Sequence, residues 1–366
     1  MRIARIDARP LSIPLREPFV ISSGRVDTTR GAVVIARVVD ERSGAVLRGI
    51  GEAATLPAVT GVDQADILRA VTRANAVLAG QTVEGHSDLR ALLDDAFDDP
   101  VSRAGTEVAL LDAWGKHERL PAHALLGSAK NGRGAYRVTT DITLPIAEPA
   151  HVGDLAESWR NAGFSALKVK VGRDLDDDAR TLEHIARRFP KAEVRLDANG
   201  ALAARDAMTL ISIMRSLHLT LGCFEQPCAA DDLEGMAHVT LLAGAPVVAD
   251  ESVKTIDDLF AVAHKKAATA VNLKLMKHGG PVEAGRIGRA AQRLGMKIMV
   301  GAMVETRLGL AATLHLARSL GQVDLVDLDT ALLLRWDPFE GGYAQSGAEL
   351  TLLDGEGLGV CETATA

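Results

Sequence analysis

Charged residues follow several apolar, β-branched runs of the sequence at regular intervals. They are, in chain order, Lys168, Lys170, Asp197, Glu225, Asp250 and Lys274. From Lys170 onward, successive members lie 24 to 28 residues apart, a spacing typical of one strand followed by one helix. If each run is a strand of a parallel barrel, these groups meet at the carboxyl ends of the strands, where barrel enzymes have their active sites.

Three of these residues are carboxylates on consecutive predicted strands. Like charges crowded into a dry site repel each other, and a divalent cation relieves that repulsion. Because ligands that are all oxygen favour magnesium over zinc, Asp197, Glu225 and Asp250 are predicted to bind Mg²⁺. Each residue taken alone could equally be a helix N-cap or a solvated strand end. Their order and matched spacing favour the metal site.

The two outermost lysines suggest the reaction. In a ring of eight strands the second and sixth are opposite, so Lys170 and Lys274 are expected to face each other across the pocket. Two bases on either side of one carbon can serve both of its faces. A substrate carboxylate on the metal would hold its α-carbon between them, and the cation would stabilise the enediolate. Lys168 shares a strand face with Lys170 and, with the metal, should lower the pKa of Lys170.

The elements that must position these groups are predicted from hydrophobic periodicity. Residues 2–13 and 31–39 look like strands and are followed by helical stretches at 62–78, 87–97 and 101–118, a segregated pattern that favours an α+β capping domain. Beyond it, short strand-like runs alternate with amphipathic helical stretches. The predicted strands are 136–143, 166–171, 193–197, 221–225, 246–250, 270–274, 297–301 and 324–329.

The predicted fold class is therefore α/β: a modified TIM (β/α)7β barrel with an α+β N-terminal capping domain. No full helix is predicted after the eighth strand. We expect a capping domain at 1–122 that carries the specificity loops, a barrel at 123–335 that carries the catalytic residues, and a C-terminal segment at 336–366 that returns to the capping domain.

Composition narrows the class of protein. The 366 residues carry a formal net charge of -7, which argues against nucleic acid as a partner. No apolar stretch reaches the length of a membrane span, so no membrane partner is expected. No secretory signal is visible, and three cysteines without zinc spacing indicate reduced thiols. We expect a cytoplasmic protein, most simply a homo-oligomer.

Five strand-end motifs together carry a resemblance to a known family. They are ALKVKVG at 166–172, LDANG at 196–200, FEQP at 224–227, ADES at 249–252 and NLK at 272–274. They resemble the motifs of the muconate-lactonising subgroup of the enolase superfamily. LLDAWGK at 110–116 is similar to the subgroup's junction between cap and barrel, so the resemblance extends over nearly the whole chain.

The resemblance implies a role for each matching residue. Asp197, Glu225 and Asp250 would bind Mg²⁺, and Lys170 and Lys274 would act as acid and base. Lys168 would contact the substrate carboxylate, and Thr143 would lie near the substrate. The residues expected to support the metal ligands are Asn199, Glu251 and Asn272.

The eighth predicted strand distinguishes among the reactions of the subgroup. Asp327 and Asp329 are predicted to share one strand face and could hold a cation there. In the subgroup this DxD pair resembles that of dipeptide epimerases, where it holds the free α-ammonium of the substrate. Arg25 corresponds approximately to an arginine that reads the side chain of glutamate in alanyl-glutamate epimerases, but it could also be a solvated loop residue. The loop at 55–62 has no cation, which leaves a small or apolar side chain open.

The predicted activity is epimerisation at the α-carbon of the C-terminal residue of a dipeptide, L-Ala-L/D-Glu or a related L,L-dipeptide. The alternatives with the same fold are an N-acylamino-acid racemase and an o-succinylbenzoate synthase. Neither substrate has a free ammonium to pair with Asp327 and Asp329. A barrel that binds carboxylates without catalysis is the remote alternative, since no expected lysine or metal ligand is missing.

Overall fold

A computed structural model describes residues 1–21, 24–40, 43–127 and 135–363. The chain begins with a three-stranded antiparallel sheet in the order β1-β2-β3. Its strands are β1 (Arg2–Ile21), β2 (Gly24–Val39) and β3 (Val46–Ala53). Buried and exposed residues largely alternate along residues 10–15 of β1, as expected for a strand with only one covered face.

Five helices follow the sheet, and the second and fourth of them pack against it. They are α1 (Pro57–Thr60), α2 (Gln64–Leu78), α3 (His86–Ala96), α4 (Pro100–Glu118) and α5 (Ala122–Leu125). Helix α4 is buried along nearly its whole length and packs directly on β3. A Cβ at Gly51 would collide with the carbonyl oxygen of Gly105, so these two glycines allow strand and helix to approach closely. The α+β capping domain predicted from the sequence is confirmed.

The second part of the chain alternates strands and helices. Its elements are β4 (Tyr136–Thr139), β5 (Ile142–Leu144), α6 (Pro149–Asn161), β6 (Ala166–Lys170), α7 (Leu175–Arg188), β7 (Glu193–Asp197), α8 (Ala204–Ser216), β8 (Thr220–Glu225), α9 (Leu233–Leu242), β9 (Val247–Ala249), α10 (Ile256–Lys265), β10 (Ala270–Leu273), α11 (Leu275–His278), α12 (Pro281–Arg293), β11 (Lys297–Gly301), α13 (Arg307–Leu320) and β12 (Leu325–Asp327).

Strands β5 to β12 form one eight-stranded sheet in chain order, and every adjacent pair is parallel. The two end strands also meet, because the backbone N–H of Asp141, next to β5, donates to the carbonyl of Val326 in β12 at 3.2 Å. A 3-10 helix (Thr330–Leu333) follows β12 where a regular barrel has an eighth α-helix. The predicted (β/α)7β barrel is confirmed.

Two of the predicted barrel strands differ from the structure by more than one residue at an end. The run 136–143 is two strands, and β4 pairs with β15 (Glu349–Leu352) outside the barrel. The break falls where the Thr140 hydroxyl accepts a hydrogen bond from the Leu328 N–H at 2.8 Å and Arg195 donates to Asp141 at 2.9 Å. The eighth strand ends at Asp327. Asp329 already has helical backbone angles and is the residue directly before the 3-10 helix.

The C-terminal segment contains β13 (Phe339–Gly341), β14 (Tyr343–Ser346), β15 and β16 (Val360–Glu362). Two hydrogen bonds connect it to residues of the cap. The Leu358 N–H donates to the Asp112 carboxylate on α4 at 2.9 Å, and the Ala122 N–H donates to the Gly357 carbonyl at 2.7 Å. The division of the chain at residues 122 and 335 stays a prediction.

One buried carboxylate connects the cap to the barrel. Glu52 of β3 accepts hydrogen bonds from the N–H groups of Thr306 and Gly309 at the start of α13, each at 3.1 Å, and from the Thr306 hydroxyl. These N–H groups have no partner within the helix, so a side chain must satisfy them. Burial, followed by repulsion from Glu305, raises the pKa of Glu52 to about 8.

Within the described ranges, no helix is long and apolar enough to cross a membrane.

Candidate active site

The charged residues singled out in the sequence lie at one end of the barrel. Strand register places Lys170 beside Asp197, and Asp197 beside Glu225. Asp250 directly follows β9, and Lys274 directly follows β10. All of these side chains are buried. Their convergence is therefore a product of the parallel register, since each residue ends its strand at the same edge.

Lys168 lies at the centre of a network of ion pairs. Its Nζ is 2.6 Å from Asp327 Oδ2, 2.7 Å from Glu225 Oε2 and 3.0 Å from Asp197 Oδ2. Lys170 Nζ lies 2.6 Å from the same Asp197 oxygen and donates to Asn199 Oδ1 at 3.1 Å. The two lysines of β6 thus share one carboxylate.

Lys274 approaches the network from the other side of the metal-ligand candidates. Its Nζ is 2.6 Å from Asp250 Oδ2 and 3.9 Å from Glu225 Oε1. Lys170 and Lys274 both line a cavity of about 50 Å³. A small substrate in that cavity would contact an amine from each of two different strands.

The carboxylates set the charge state of the lysines in this arrangement. Burial alone would lower the pKa of Lys168, but Asp197, Asp327 and Glu225 outweigh it and hold that pKa well above its ordinary value. Burial also lowers the pKa of Lys274, but the nearby carboxylates of Asp250 and Glu225 outweigh it, and the net effect raises that pKa. Burial and the neighbouring Asp197 raise the pKa of Glu225 to about 7. The network therefore holds Lys168 and Lys274 in their protonated form between the carboxylates.

The candidate magnesium ligands have the right chemistry, and a buried oxygen beside them has no hydrogen-bond donor. Within the described residues, no three acidic, histidine or cysteine side chains lie close enough to hold a metal together. Lysine amines separate the carboxylates instead, as where Lys168 pairs with Glu225 Oε2. However, Oε2 of Glu251, the residue after Asp250, is buried and receives no hydrogen bond. An all-oxygen ligand set with this unsatisfied acceptor beside it fits a hard divalent cation, whose charge would balance the carboxylates as the ammonium groups now do.

Two of the three residues expected to support the ligands contact a ligand. Asn272 donates to Glu225 Oε1 at 2.8 Å, and the backbone N–H of Asn199 donates to Asp197 Oδ1 at 2.9 Å. The third, Glu251, accepts from the Asn199 side chain at 3.1 Å. Asn199 adopts a positive φ of 46°, which asparagine tolerates better than most residues. These contacts orient the carboxylates, and the roles of the residues stay predictions.

The two aspartates of the predicted DxD pair occupy different positions. Asp327 lines the cavity, whereas Asp329 does not. Asp329 Oδ2 accepts a hydrogen bond from the backbone N–H of Thr143 at 2.6 Å. The Thr143 hydroxyl lies on the cavity and is 3.4 Å from Asp327 Oδ1. The expectation that both aspartates share a strand face is wrong, because the strand ends before Asp329.

Arg25 lies away from the cavity. Its side chain is 61% exposed, and its guanidinium pairs with Asp27 at 2.9 Å on the same strand. The cap residues that line the cavity, among those the structure describes, are all apolar: Phe19, Ile21, Leu56 and Val59. Met303 and Val304 continue this surface from the barrel side. The solvated interpretation of Arg25, which the sequence left open, matches this position.

Sequence reasoning missed Lys277. Its buried Nζ donates to Asp250 Oδ1 at 2.6 Å, to the Asp250 carbonyl at 2.7 Å and to the Asn272 carbonyl at 2.8 Å. All three donors of the ammonium are thereby used. Its position three residues after Lys274 was a signal in the sequence, because residues three apart on a helical turn lie on the same side of it.

Comparisons with known proteins find relatives along nearly the whole chain. The family model described as "Enolase C-terminal domain-like" matches residues 151–362. The aromatic dipeptide epimerase of Herpetosiphon aurantiacus is 34% identical over 98% of both chains. A substrate-liganded complex of the L-Ala-D/L-Glu epimerase of Bacillus subtilis superposes with a TM-score of 0.92 at 32% identity, covering 100% of both chains.

A second similar structure carries both a metal and a dipeptide. The dipeptide epimerase of Enterococcus faecalis, complexed with Mg and L-Leu-L-Tyr, has a TM-score of 0.88 at 29% identity and covers 99% of this chain and 100% of that one. The family match spans more than half of the chain, and the relatives extend along nearly all of it. The chain therefore belongs to the enolase superfamily and is an isomerase of the kind that racemises or epimerises amino-acid derivatives.

Proposed function

We propose that this protein is a magnesium-dependent epimerase of dipeptides whose C-terminal residue has an uncharged, apolar side chain. The main support is the composition of one cavity, where two lysines from different strands lie under a surface of apolar residues from the cap. The lysines fit proton transfer at an α-carbon. The apolar surface fits the side chain attached to that carbon.

Lys170 and Lys274 divide the proton transfer in this proposal. One amine removes the α-proton from one face, and the other ammonium returns a proton to the opposite face, which inverts the carbon. Each lysine is buried and next to a carboxylate, so its amine is held in place as the proton moves. Magnesium bound by Asp197, Glu225 and Asp250 would supply positive charge that favours the enediolate form of the substrate.

Lys168 and Asp327 are suited to the two charged ends of a dipeptide. They pair with each other at 2.6 Å across the floor of the site, so each presents a charge that a zwitterion can match. Lys168 would contact the substrate carboxylate, and Asp327 would accept the α-ammonium. An acylated amino acid lacks the ammonium and would gain no charge-assisted hydrogen bond at Asp327, which disfavours the racemase alternative.

The cavity surface supports an apolar side chain over glutamate at the epimerised residue. A γ-carboxylate beside Phe19, Ile21 and Val59 would lose its hydration without a cation to replace it, which is costly. Arg25 pairs with Asp27 and does not line the cavity. Among the candidate substrates, a related L,L-dipeptide is therefore favoured over L-Ala-L-Glu.

The test is a library of L,L-dipeptides incubated with magnesium in deuterated water, read by mass for deuterium at the α-carbon. We expect L-Ala-L-Phe and L-Ala-L-Leu to exchange and epimerise at least tenfold faster than L-Ala-L-Glu, the scale on which a pocket discriminates side chains. Arg25→Ala should leave this ranking unchanged. Faster turnover of L-Ala-L-Glu that Arg25→Ala abolishes would reverse the side-chain assignment.

Two further arms test the reaction class. Excess chelator should stop exchange, and magnesium should restore it. N-acetyl-L-phenylalanine should react far more slowly than L-Ala-L-Phe. If acetylated amino acids are the faster substrates, the racemase alternative replaces the present proposal.

A further inference from the structure

A second cavity lies next to the candidate active site. It has a volume of about 150 Å³ and lies between α6, residues 16–19 of β1 and the 3-10 helix. Its walls contain the apolar residues Pro18, Phe19, Pro145, Leu155, Trp159, Leu332 and Leu333. We call it the side cavity.

The side cavity and the active-site cavity share two residues, Phe19 and Thr143. Thr143 connects the side cavity to the group assigned to the substrate ammonium, because its hydroxyl is 3.4 Å from Asp327 Oδ1. The 3-10 helix that contributes Leu332 and Leu333 begins directly after Asp329. One turn of chain therefore separates the ammonium-binding region from an apolar wall.

In a dipeptide, the N-terminal side chain is attached to the same carbon as the free ammonium. Once Asp327 holds that ammonium, the side chain must begin within a bond length or two of it, beside Thr143. We propose that the side cavity binds the side chain of the N-terminal residue of the substrate, and that it accepts apolar side chains up to the size of phenylalanine. This inference rests on the proposed dipeptide epimerase function.

The size and lining of the side cavity define this class of side chain. An apolar protein cavity of about 150 Å³ is large enough to hold benzene, so a leucine or phenylalanine side chain fits the side cavity. Thr143 and Ser158 are the uncharged polar groups on its lining, while Arg16 and Glu17 supply the charges. Glu17 pairs with His151 at 3.4 Å, and both side chains are about half exposed. The charges thus belong to a solvated rim, and a buried N-terminal side chain would contact Trp159 and Leu155.

Two series of substrates separate the two cavities. The first varies the N-terminal residue, as in L-Phe-L-Ala against Gly-L-Ala, and the second varies the C-terminal residue, as in Gly-L-Phe against Gly-L-Ala. Leu155→Trp fills the side cavity, and Val59→Trp adds the same ring to the active-site cavity. Ser212→Trp, on an exposed position of α8, is the control for the added bulk.

We expect Leu155→Trp to lower the kcat/KM ratio of L-Phe-L-Ala to Gly-L-Ala by tenfold or more. It should change the ratio of Gly-L-Phe to Gly-L-Ala less than twofold. Val59→Trp should show the reverse pattern, and Ser212→Trp should alter neither ratio. Trp159→Ala, which enlarges the side cavity, provides an independent check: it should raise the kcat/KM of L-Trp-L-Ala relative to L-Phe-L-Ala.

The outcomes distinguish this inference from the proposed function. If no dipeptide exchanges its α-proton, the dipeptide epimerase proposal fails and the inference fails with it. If dipeptides are epimerised, but Leu155→Trp and Trp159→Ala leave the N-terminal ratios unchanged or shift both series equally, only the side-cavity assignment is overturned.

Discussion

Lys277 Nζ contacts Asp250 twice, at the Oδ1 oxygen of its side chain and at its backbone carbonyl. The same ammonium holds the carbonyl of Asn272, whose side chain donates to Glu225. One buried cation outside the active-site cavity therefore fixes two of the three carboxylates proposed to bind magnesium. Residues that orient ligands in this way affect metal affinity without touching the metal.

We expect Lys277→Met to weaken magnesium binding by roughly 10-fold to 100-fold, because Asp250 loses its fixed position and a buried acceptor loses its partner. Titration calorimetry with Mg²⁺ alone measures this without relying on turnover. Lys254→Met, on an exposed lysine, is the matched control and should bind Mg²⁺ like the wild type. Wild-type affinity in Lys277→Met would show that Lys277 does not position the ligands.

The two cavity lysines should act on different faces of the α-carbon. Lys170→Ala and Lys274→Ala should each lower the rate of epimerisation by at least three orders of magnitude, because one of the two proton transfers is lost. Each variant should still exchange the α-proton of a single stereoisomer with deuterated water, and the two variants should select opposite isomers. Mass spectrometry of L,L- and L,D-dipeptides checks this. Equal exchange from both isomers in both variants would contradict the two-base arrangement.

Asp327 and Asp329 should differ in their effect on the substrate ammonium. Asp327→Asn should lower kcat/KM for a free dipeptide by about 100-fold, since a charge-assisted hydrogen bond is lost from a buried site. The N-acetylated dipeptide has no ammonium to lose, so its already low rate should fall much less. Asp329→Asn is the comparison variant, because Asp329 bonds to the Thr143 backbone outside the cavity. The assignments would be reversed if Asp329→Asn lowered kcat/KM for the free dipeptide, relative to the acetylated one, more than Asp327→Asn does.

Asp178 should make stability depend on pH. Burial raises its pKa to about 6, while the hydrogen bond from the Gly172 N–H opposes the shift. The folded protein therefore holds this proton more tightly than the unfolded chain, whose Asp has a pKa of about 4. The resulting stabilisation is complete below pH of about 4 and is lost as the pH rises through about 6.

Asp178→Asn stays neutral and can still accept from Gly172. We expect its melting temperature to exceed that of the wild type by about 2 °C at pH 8 and to match it near pH of about 4. Differential scanning calorimetry across this range measures the difference. Asp176→Asn replaces an exposed acid of the same helical turn. Its difference in melting temperature from the wild type should be the same at both pH values.

The parts of the fold that follow from local pattern were predicted well. The bounds of β7 and β11 were predicted to the residue, because each is a short strand between clear helical segments. The convergence of Lys170, Asp197 and Glu225 followed from spacing alone, since parallel register converts equal spacing into proximity.

The errors occur where side chains satisfy the backbone across the barrel closure. Nothing local in the sequence indicates that Thr140 accepts from Leu328, or that Asp329 accepts from Thr143, about 190 residues away in each case. These contacts break the first predicted strand and end the last one early. Lys277 was missed for a related reason, because its partners are two backbone carbonyls and one carboxylate that only the folded chain brings together.

The hydrogen bonds from Thr306 and Gly309 to Glu52 have a consequence for how the molecule unfolds. A barrel without the cap would lose the acceptor of the N–H groups that begin α13, close to the cavity residues Met303 and Val304. The cap alone would likewise lose the donors to Glu52. Each part is therefore incomplete alone, and we expect cap and barrel to unfold in one cooperative transition although the architecture separates them into two layers.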